Sequence, residues 1–378
     1  MTVVPLPLIE IAGATPYERG ASYGRQAADR VKASAALYGA RLGKLDLSAD
    51  AVRDLVRAFV PRIEAFEPGY VEEMRGIAAG AGVAFEQVAL VNARTEILKL
   101  GERRAAELKV GQDGCTGAVI LPEATRDGNL IHGQNWDWLA ECAKTTVVLR
   151  VRRDDAPSYL TFTEAGGLAR AGMNSLGTAI TANYLESDRD YRTEGVPLAL
   201  IRRKALESAH FAHAVKAVAT TPKSASNNMI LSTAEGFAID WECAPDEAFP
   251  VYPEDGLIVH ANHWQSPVAL AKLKEAGTAS TPESCYRDWR VRRLLAPDVG
   301  RLTRDHLRAA LFDDFGSPYS VCRPPRPNEA GNLSATVLML LMEPALGVME
   351  IAPLPAVNRS FTTYTLPMES AATRKAAE

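Results

Sequence analysis

From residue 16 to about 109, apolar side chains recur every three or four positions, the spacing of helices that bury one face. SADAVRDLVRAFVPRIEAF shows it most plainly, opening on a Ser48/Asp50 cap signal. YERGASYGRQAADRVKASAALYGARL is Ala-rich with its charges on one face. GYVEEMRGIAAGAGVAFEQVALVNARTEIL continues the helical pattern, with breaks expected at Gly80 and Gly82. At Cys115 the period changes. CTGAVILP and LIHGQNW are short apolar runs flanking EATRDGN, whose Asp-Gly pair marks a turn, so a β-hairpin is expected. TTVVLRVRR, SYLTFTEA, GTAITANYL, NNMILSTAEGFAIDWE and TVLMLLMEPALGVMEIAPL read as further strands. Between them, PLALIRRKALESAHFAHAVKAVA and SCYRDWRVRRLL read as helices. A helical leader followed by a β-rich body with packed helices predicts a layered α+β fold.

The hairpin makes a geometric statement about Cys115. If residues 117–122 pair antiparallel with 129–135, opposed positions sum to about 250, and position 115 lies opposite 135–137. Asn135, Trp136 and Asp137 then sit beside the cysteine. A cysteine entering a β-run is ordinarily a small buried hydrophobe, so its neighbours decide whether it is more than that.

Composition narrows the classes. The 378 residues are 47% hydrophobic and 23% charged, an ordinary globular balance with ample chain for a large core. The net charge of −4, without a long basic run, argues against nucleic acid or an anionic membrane surface as partner. No apolar run approaches the length of a bilayer span, and the first residues lack the basic region of a signal peptide. Five scattered cysteines without a C-x-x-C pair argue against a disulfide framework and a cysteine-based zinc site; a reducing cytoplasm is the expected setting. His260 and His263 in VHANHW raise a metal-dependent hydrolase as an alternative, but two ligands three apart do not complete a site.

DGCTGAVI followed by HGQNWDW resembles the acyl-coenzyme A:isopenicillin N acyltransferase family of the N-terminal nucleophile hydrolase superfamily. GATPYERGASYGRQAADRV, GMNSLGTAITANYL, SASNNMIL, IDWE and HANHW are similar to other blocks of that family, so the likeness covers most of the chain. The resemblance implies a four-layer αββα sandwich with a helical N-terminal segment. It also implies a precursor that cuts itself between Gly114 and Cys115, leaving an α subunit (1–114) and a β subunit (115–378) that form one intertwined domain. Cys115 would then hold both the nucleophilic thiol and, in its freed α-amine, the base.

The resemblance further implies that Asp137 orients the thiol or the new ammonium. Asn228 is its candidate oxyanion donor, with the adjacent Asn227 next in line. Asn183, Gln134, Asn135 and Ser334 are candidate substrate or oxyanion contacts. Gln134 stands where related amidases carry arginine, and GNLSATV around Ser334 lacks the arginine often present there. The implied activity is transfer of an acyl group from a small amide, through an acyl-Cys115 thioester, to water or an amine, without cofactor or metal. The implied partners are a small-molecule amide or acyl thioester and the two fragments of the chain itself, with homo-oligomerisation left open. A non-catalytic relative keeping the fold is the other alternative.

Overall fold

The computed structural model describes residues 4–45, 47–105, 114–328 and 331–369. After an edge strand, β1 (Leu8–Ile11), come α1 (Pro16–Gln26), α2 (Ala28–Gly43), α3 (Ala49–Phe66), α4 (Pro68–Ala81), α5 (Phe85–Asn92) and α6 (Arg94–Ala105). The hairpin strands are β2 (Thr116–Ile120) and β3 (Ile131–Leu139), followed by β4 (Thr146–Val151), β5 (Tyr159–Glu164), β6 (Ala171–Asn174) and β7 (Thr178–Tyr184). The pair α7 (Leu198–Leu206) and α8 (Phe211–Thr220) precedes β8 (Asn227–Thr233), β9 (Phe237–Cys243), β10 (Ala248–Val251) and β11 (Leu257–His260). The chain closes with α9 (Pro267–Lys272), α10 (Ser284–Leu295), α11 (Arg304–Leu311), β12 (Arg326–Pro327), β13 (Leu333–Glu343), β14 (Val348–Pro353) and β15 (Thr362–Thr365).

Two sheets result. One has the order β1-β4-β5-β6-β7-β8-β9-β10, and the other β11-β2-β3-β13-β14-β15 with β12 on β13. All pairings are antiparallel except β1 with β4, which is parallel. The period-2 pattern of each strand sorts its side chains between layers. Val147, Leu149 and Val151 of β4 pack with Tyr23, Val31 and Met74 from the helices. Val148 between them faces the second sheet and, with Phe162 of its own sheet, joins Trp136, Leu340 and Met342. Met339 and Leu341 of β13 point the other way, onto Val291, Leu295 and Leu307 of α10 and α11. The layers are therefore helix, sheet, sheet, helix, the expected αββα sandwich. A polar pin crosses its middle: His132 Nδ1 meets Ser232 Oγ at 2.9 Å and Nε2 meets Thr181 Oγ1 at 2.8 Å. Burial holds that ring neutral, pushing its pKa down to about 3.

The hairpin register follows the sum rule within one residue. Thr116 pairs with Asn135 and Ile120 with Ile131, so opposed numbers sum to 251. The glycines of α4 correct the sequence expectation. Gly80 does not break the helix, which ends instead at Gly82 in the left-handed region (φ 67°). Gly80 and Gly76 face Gly20 and Gly24 of α1 so closely that helix backbones touch. A Cβ on Gly76 would lie 2.2 Å from Tyr17 O, and one on Gly20 would lie 2.0 Å from Glu73 O.

This contact predicts an asymmetry. Gly76→Ala should destabilise by about 3 kcal/mol or more in denaturant unfolding, because backbone cannot yield as a side chain does. Gly39→Ala, on a helix surface with nothing within 4 Å of the added methyl, should be neutral or stabilise by up to about 1 kcal/mol.

Candidate active site

Cys115 enters β2 at the end of the inter-sheet core, and it is 7% exposed. Its main chain is gripped on both sides. The Cys115 N–H donates to Asn262 Oδ1 (2.7 Å), and its carbonyl accepts from Arg287 Nη1 (2.7 Å). Arg287 also donates to Thr116 Oγ1 (2.8 Å) and, through Nη2, to Asn262 Oδ1 (2.8 Å). Asn262 Nδ2 donates to Tyr184 O (2.7 Å), which fixes the amide so that its oxygen faces the cysteine. Gly114 has no room for a side chain: a Cβ would come within 2.4 Å of Arg287 Nη2 and 2.7 Å of Asn262 Oδ1.

Cys115 lies in the wall of a narrow cavity of about 80 Å3 with Trp136, Asp137, Trp138, Asn183 and Asn227. Burial, helped by the Asp137 charge, pushes the thiol up to about 11; the Asp137 backbone N–H, Arg170 and Arg287 act against that rise. The intact chain thus keeps Cys115 protonated near neutrality. The Asp137 carboxylate is itself held: Oδ1 accepts from Thr336 Oγ1 (2.6 Å), and Oδ2 lies 3.1 Å from Arg323 Nε. Arg323 continues to Glu283 Oε1 (2.6 Å).

The other sequence candidates separate. Asn183 lines the cavity, but both ends of its carboxamide are engaged: Nδ2 donates to His260 O (3.0 Å), and Oδ1 accepts from Gln134 Nε2 (2.9 Å). Gln134 therefore orients Asn183 and is not in the cavity wall. Asn228 lies on the opposite face of its strand from Asn227. It points between the sheets, where Oδ1 accepts from Asn183 N (2.8 Å) and Nδ2 donates to Asp240 Oδ2 (2.8 Å). The strand's alternation places Asn227, not Asn228, on the cavity, with its Oδ1 buried and unpartnered. Asn135 also faces away, donating to Leu311 O (2.7 Å) and Val321 O (2.9 Å) and so docking α11. Ser334 is buried in β13 opposite Leu139 and Arg326, outside the cavity wall.

His260 and His263 stack with ring centroids 6.2 Å apart, but each has partners of its own. His260 Nε2 meets Glu242 Oε1 at 2.7 Å and Nδ1 meets Ala261 O at 3.1 Å, while His263 Nδ1 meets Ser284 Oγ at 2.8 Å. Among the described residues, no three His, Cys, Asp or Glu side chains gather as a metal site. The residue that accepts the Cys115 N–H is Asn262, between the two histidines. Asn262, Arg287 and Arg323 escape the sequence reading; only the HANHW block hinted at the first.

A profile of the family described as "Acyl-coenzyme A:6-aminopenicillanic acid acyl-transferase" matches residues 124–352. The chain is 29% identical over 315 residues to the 40 kDa form of acyl-coenzyme A:6-aminopenicillanic-acid-acyltransferase of Emericella nidulans, covering 82% of each. Among solved structures it is similar to a variant of conjugated bile acid hydrolase from Clostridium perfringens (TM-score 0.48, 14% identity, 68% of this chain and 94% of that one). It is also similar to penicillin V acylase from Agrobacterium tumefaciens (TM-score 0.46, 15% identity, 67% of this chain and 86% of that one).

The buried cluster behind Asn183 predicts a pH dependence. Burial pushes His260 down, but the Asp240 charge and the Glu242 hydrogen bond more than offset this and leave it at about 9. A histidine raised above its unfolded value of about 6.5 stabilises fully below that pH and loses the contribution as pH rises through about 9. Burial raises Asp240 to about 6, so its own change falls at lower pH. The Tm should therefore decline between pH 6.5 and 9, and His260→Gln should flatten the decline; an unchanged slope in the variant refutes it.

Proposed function

Since the chain belongs to the acyl-coenzyme A:6-aminopenicillanic acid acyl-transferase family, we propose that it is a self-processed cysteine amidohydrolase or acyltransferase acting through Cys115. One observation carries this reading: a single cysteine has its amide and carbonyl clamped by Asn262 and Arg287 and itself lines a cavity. Nucleophile, future amine and acyl site are then one position.

Processing begins when the Cys115 thiol adds to the Gly114 carbonyl. The C–N bond breaks, the nitrogen takes the thiol proton, and a thioester joins Gly114 to the sulfur. Water hydrolyses it, leaving the Gly114 carboxylate, a free thiol and a new α-amine. That amine has a pKa of about 8, and Asn262 Oδ1 already faces its nitrogen. It takes the thiol proton for attack on a substrate amide and returns a proton to the departing amine. The acyl-Cys115 thioester then passes its acyl group to water or to a second amine. Asp137, fixed by Arg323 and Thr336, keeps its backbone N–H on the sulfur. Asn227 is the proposed side-chain donor to the oxyanion; Asn183, Gln134 and Asn228 position the wall around it. The protein is thus read as one domain of two fragments, 1–114 and 115–378, working without cofactor on a small-molecule amide in the cytoplasm.

Purified protein should resolve under denaturing mass spectrometry into pieces of 114 and 264 residues (378 less 114), and Cys115→Ala should remain whole. A wild-type chain that is active while uncut refutes self-processing. In matured protein, Asn227→Ala should lower kcat by roughly 10²–10³ with little change in KM, read by single-turnover acylation. Asn228→Ala should instead lower Tm by removing the buried hydrogen bond to Asp240 Oδ2. Equal acylation rates in wild type and Asn227→Ala would remove Asn227 from the donor role.

A further inference from the structure

One turn of α10 reaches Asn262, Cys115 and His263. Ser284, Arg287 and Asp288 stand at i, i+3 and i+4, the spacing that shares one helix face. Arg287 donates to Asn262 Oδ1 and to Cys115 O. Ser284 Oγ accepts the Asn262 N–H at 2.6 Å and meets His263 Nδ1 at 2.8 Å. Asp288 Oδ2 lies 3.8 Å from His263 Nε2, too far for a hydrogen bond but close enough for its charge to act. The same oxygen accepts from Gln265 Nε2 (3.0 Å).

The Ser284 hydroxyl leaves one arrangement of protons. It is fully buried, it accepts from Asn262, and it has one proton of its own to place. Among the described residues, the partner left for that proton is His263 Nδ1, which must therefore present a lone pair. The ring is then neutral, with its proton on Nε2 towards Asp288. A second proton, on Nδ1, would reverse the bond. Ser284 Oγ would accept from Asn262 and His263 together, and its own proton would be buried without an acceptor. The ring is faced by Asp288 and Arg287 of α10, His260 of β11 and Glu242 of β9. Burial, with the charges of His260 and Arg287, holds His263 below the ordinary histidine value of about 6.5 against the carboxylates of Asp288 and Glu242.

Ser284 and His263 together hold the main chain of Asn262. The carboxamide of that residue is set by Tyr184 O and Arg287, and its backbone N–H by Ser284. We infer that neutral His263 is a positioning residue for the reaction at Cys115: through Ser284 it fixes the Asn262 backbone, and protonation of the ring loosens the Asn262 carboxamide from the Cys115 nitrogen. This rests on the reading of Cys115 as nucleophile, with its own nitrogen as base. Two protons then act on the acid side of the reaction. One goes to the Cys115 amine, with a pKa of about 8, and blocks its use as base. The other goes to His263 at lower pH and undoes the Ser284 link. The rate therefore falls with the first power of proton concentration between the two titrations and with the second power below both.

The experiment follows acylation of matured enzyme by 4-nitrophenyl acetate across the acid and neutral range, read as the first release of 4-nitrophenol. In parallel, NMR of protein labelled with nitrogen-15 histidine reports the tautomer and titration of His263. The ring should carry its proton on Nε2, and the slope of log rate against pH should steepen from one to two below its titration. In His263→Asn, whose amide oxygen can accept from Ser284 at every pH, the slope should stay at one, with the alkaline rate within about threefold of wild type. In His263→Phe, which offers no acceptor, the rate should fall roughly tenfold or more throughout. Asp288→Asn removes a carboxylate that raises the ring, so it should move the NMR titration and the break in slope to lower pH together. A wild-type slope of one through the His263 titration, a break that persists in His263→Asn, or a neutral ring protonated on Nδ1 each overturns the inference. The tautomer is read on wild type and so decides even if a variant does not fold. If the ring is protonated on Nε2 while mass spectrometry finds no acetyl group on Cys115, the Ser284 link stands and the nucleophile reading fails.

Discussion

The candidate site is built around the guanidinium of Arg287. It starts on α10, in the outer helical layer, and ends against the main chain of Cys115, at the entry to β2 in the adjoining sheet. Three donated hydrogen bonds, to Cys115 O, Thr116 Oγ1 and Asn262 Oδ1, tie the helix, the strand and the 260–265 loop to one another. Charge-assisted bonds of this kind are roughly twice as strong as neutral ones. Their loss would leave a buried carbonyl and a buried amide oxygen short of donors, a penalty beyond the bonds themselves. The same guanidinium closes the space around Gly114. The position of the sulfur, the exclusion of a side chain at 114 and the orientation of Asn262 therefore share one cause.

Around that anchor, polar groups are stacked in order of depth. Arg323 and Thr336 hold Asp137; Gln134 holds Asn183; Asp240 holds Asn228, which in turn receives the Asn183 N–H. Few cavity groups hold themselves in place. Such nested support keeps rotamers fixed without filling the cavity, and in a low-dielectric interior each satisfied link strengthens the next.

The sequence carried the parts of this arrangement that depend on local period. The helical leader, the hairpin at Cys115 and the approach of Asp137 follow from the 3.6 and 2.0 repeats and from an Asp-Gly turn. Parity was harder. Whether Asn227 or Asn228 faces the cavity depends on which face of β8 meets the helices, which Met229 and Leu231 decide only once the layers are stacked. Gly80 read as a helix break because its close partner on α1 is about sixty residues away in the chain. Arg287 carried no local mark at all. In SCYRDWRVRRLL it looks like its arginine neighbours, and only tertiary burial distinguishes it.

The edge strand has a consequence for the life history of the molecule. β1 lies parallel to β4, the Tyr364 hydroxyl donates to Leu6 O (2.7 Å), and α1 to α6 cover the adjoining sheet. The described strand and helices before residue 105 are thus woven into layers made by the strands after residue 115. While the peptide is continuous, these contacts form within one chain at a high effective concentration. Once cut, the pieces would remain interlocked, but a molecule that unfolded would lose them to dilution and have to reassemble from two partners. Folding would then run in one direction, and the persistence of the cut protein would be governed by how slowly it opens rather than by how readily it refolds.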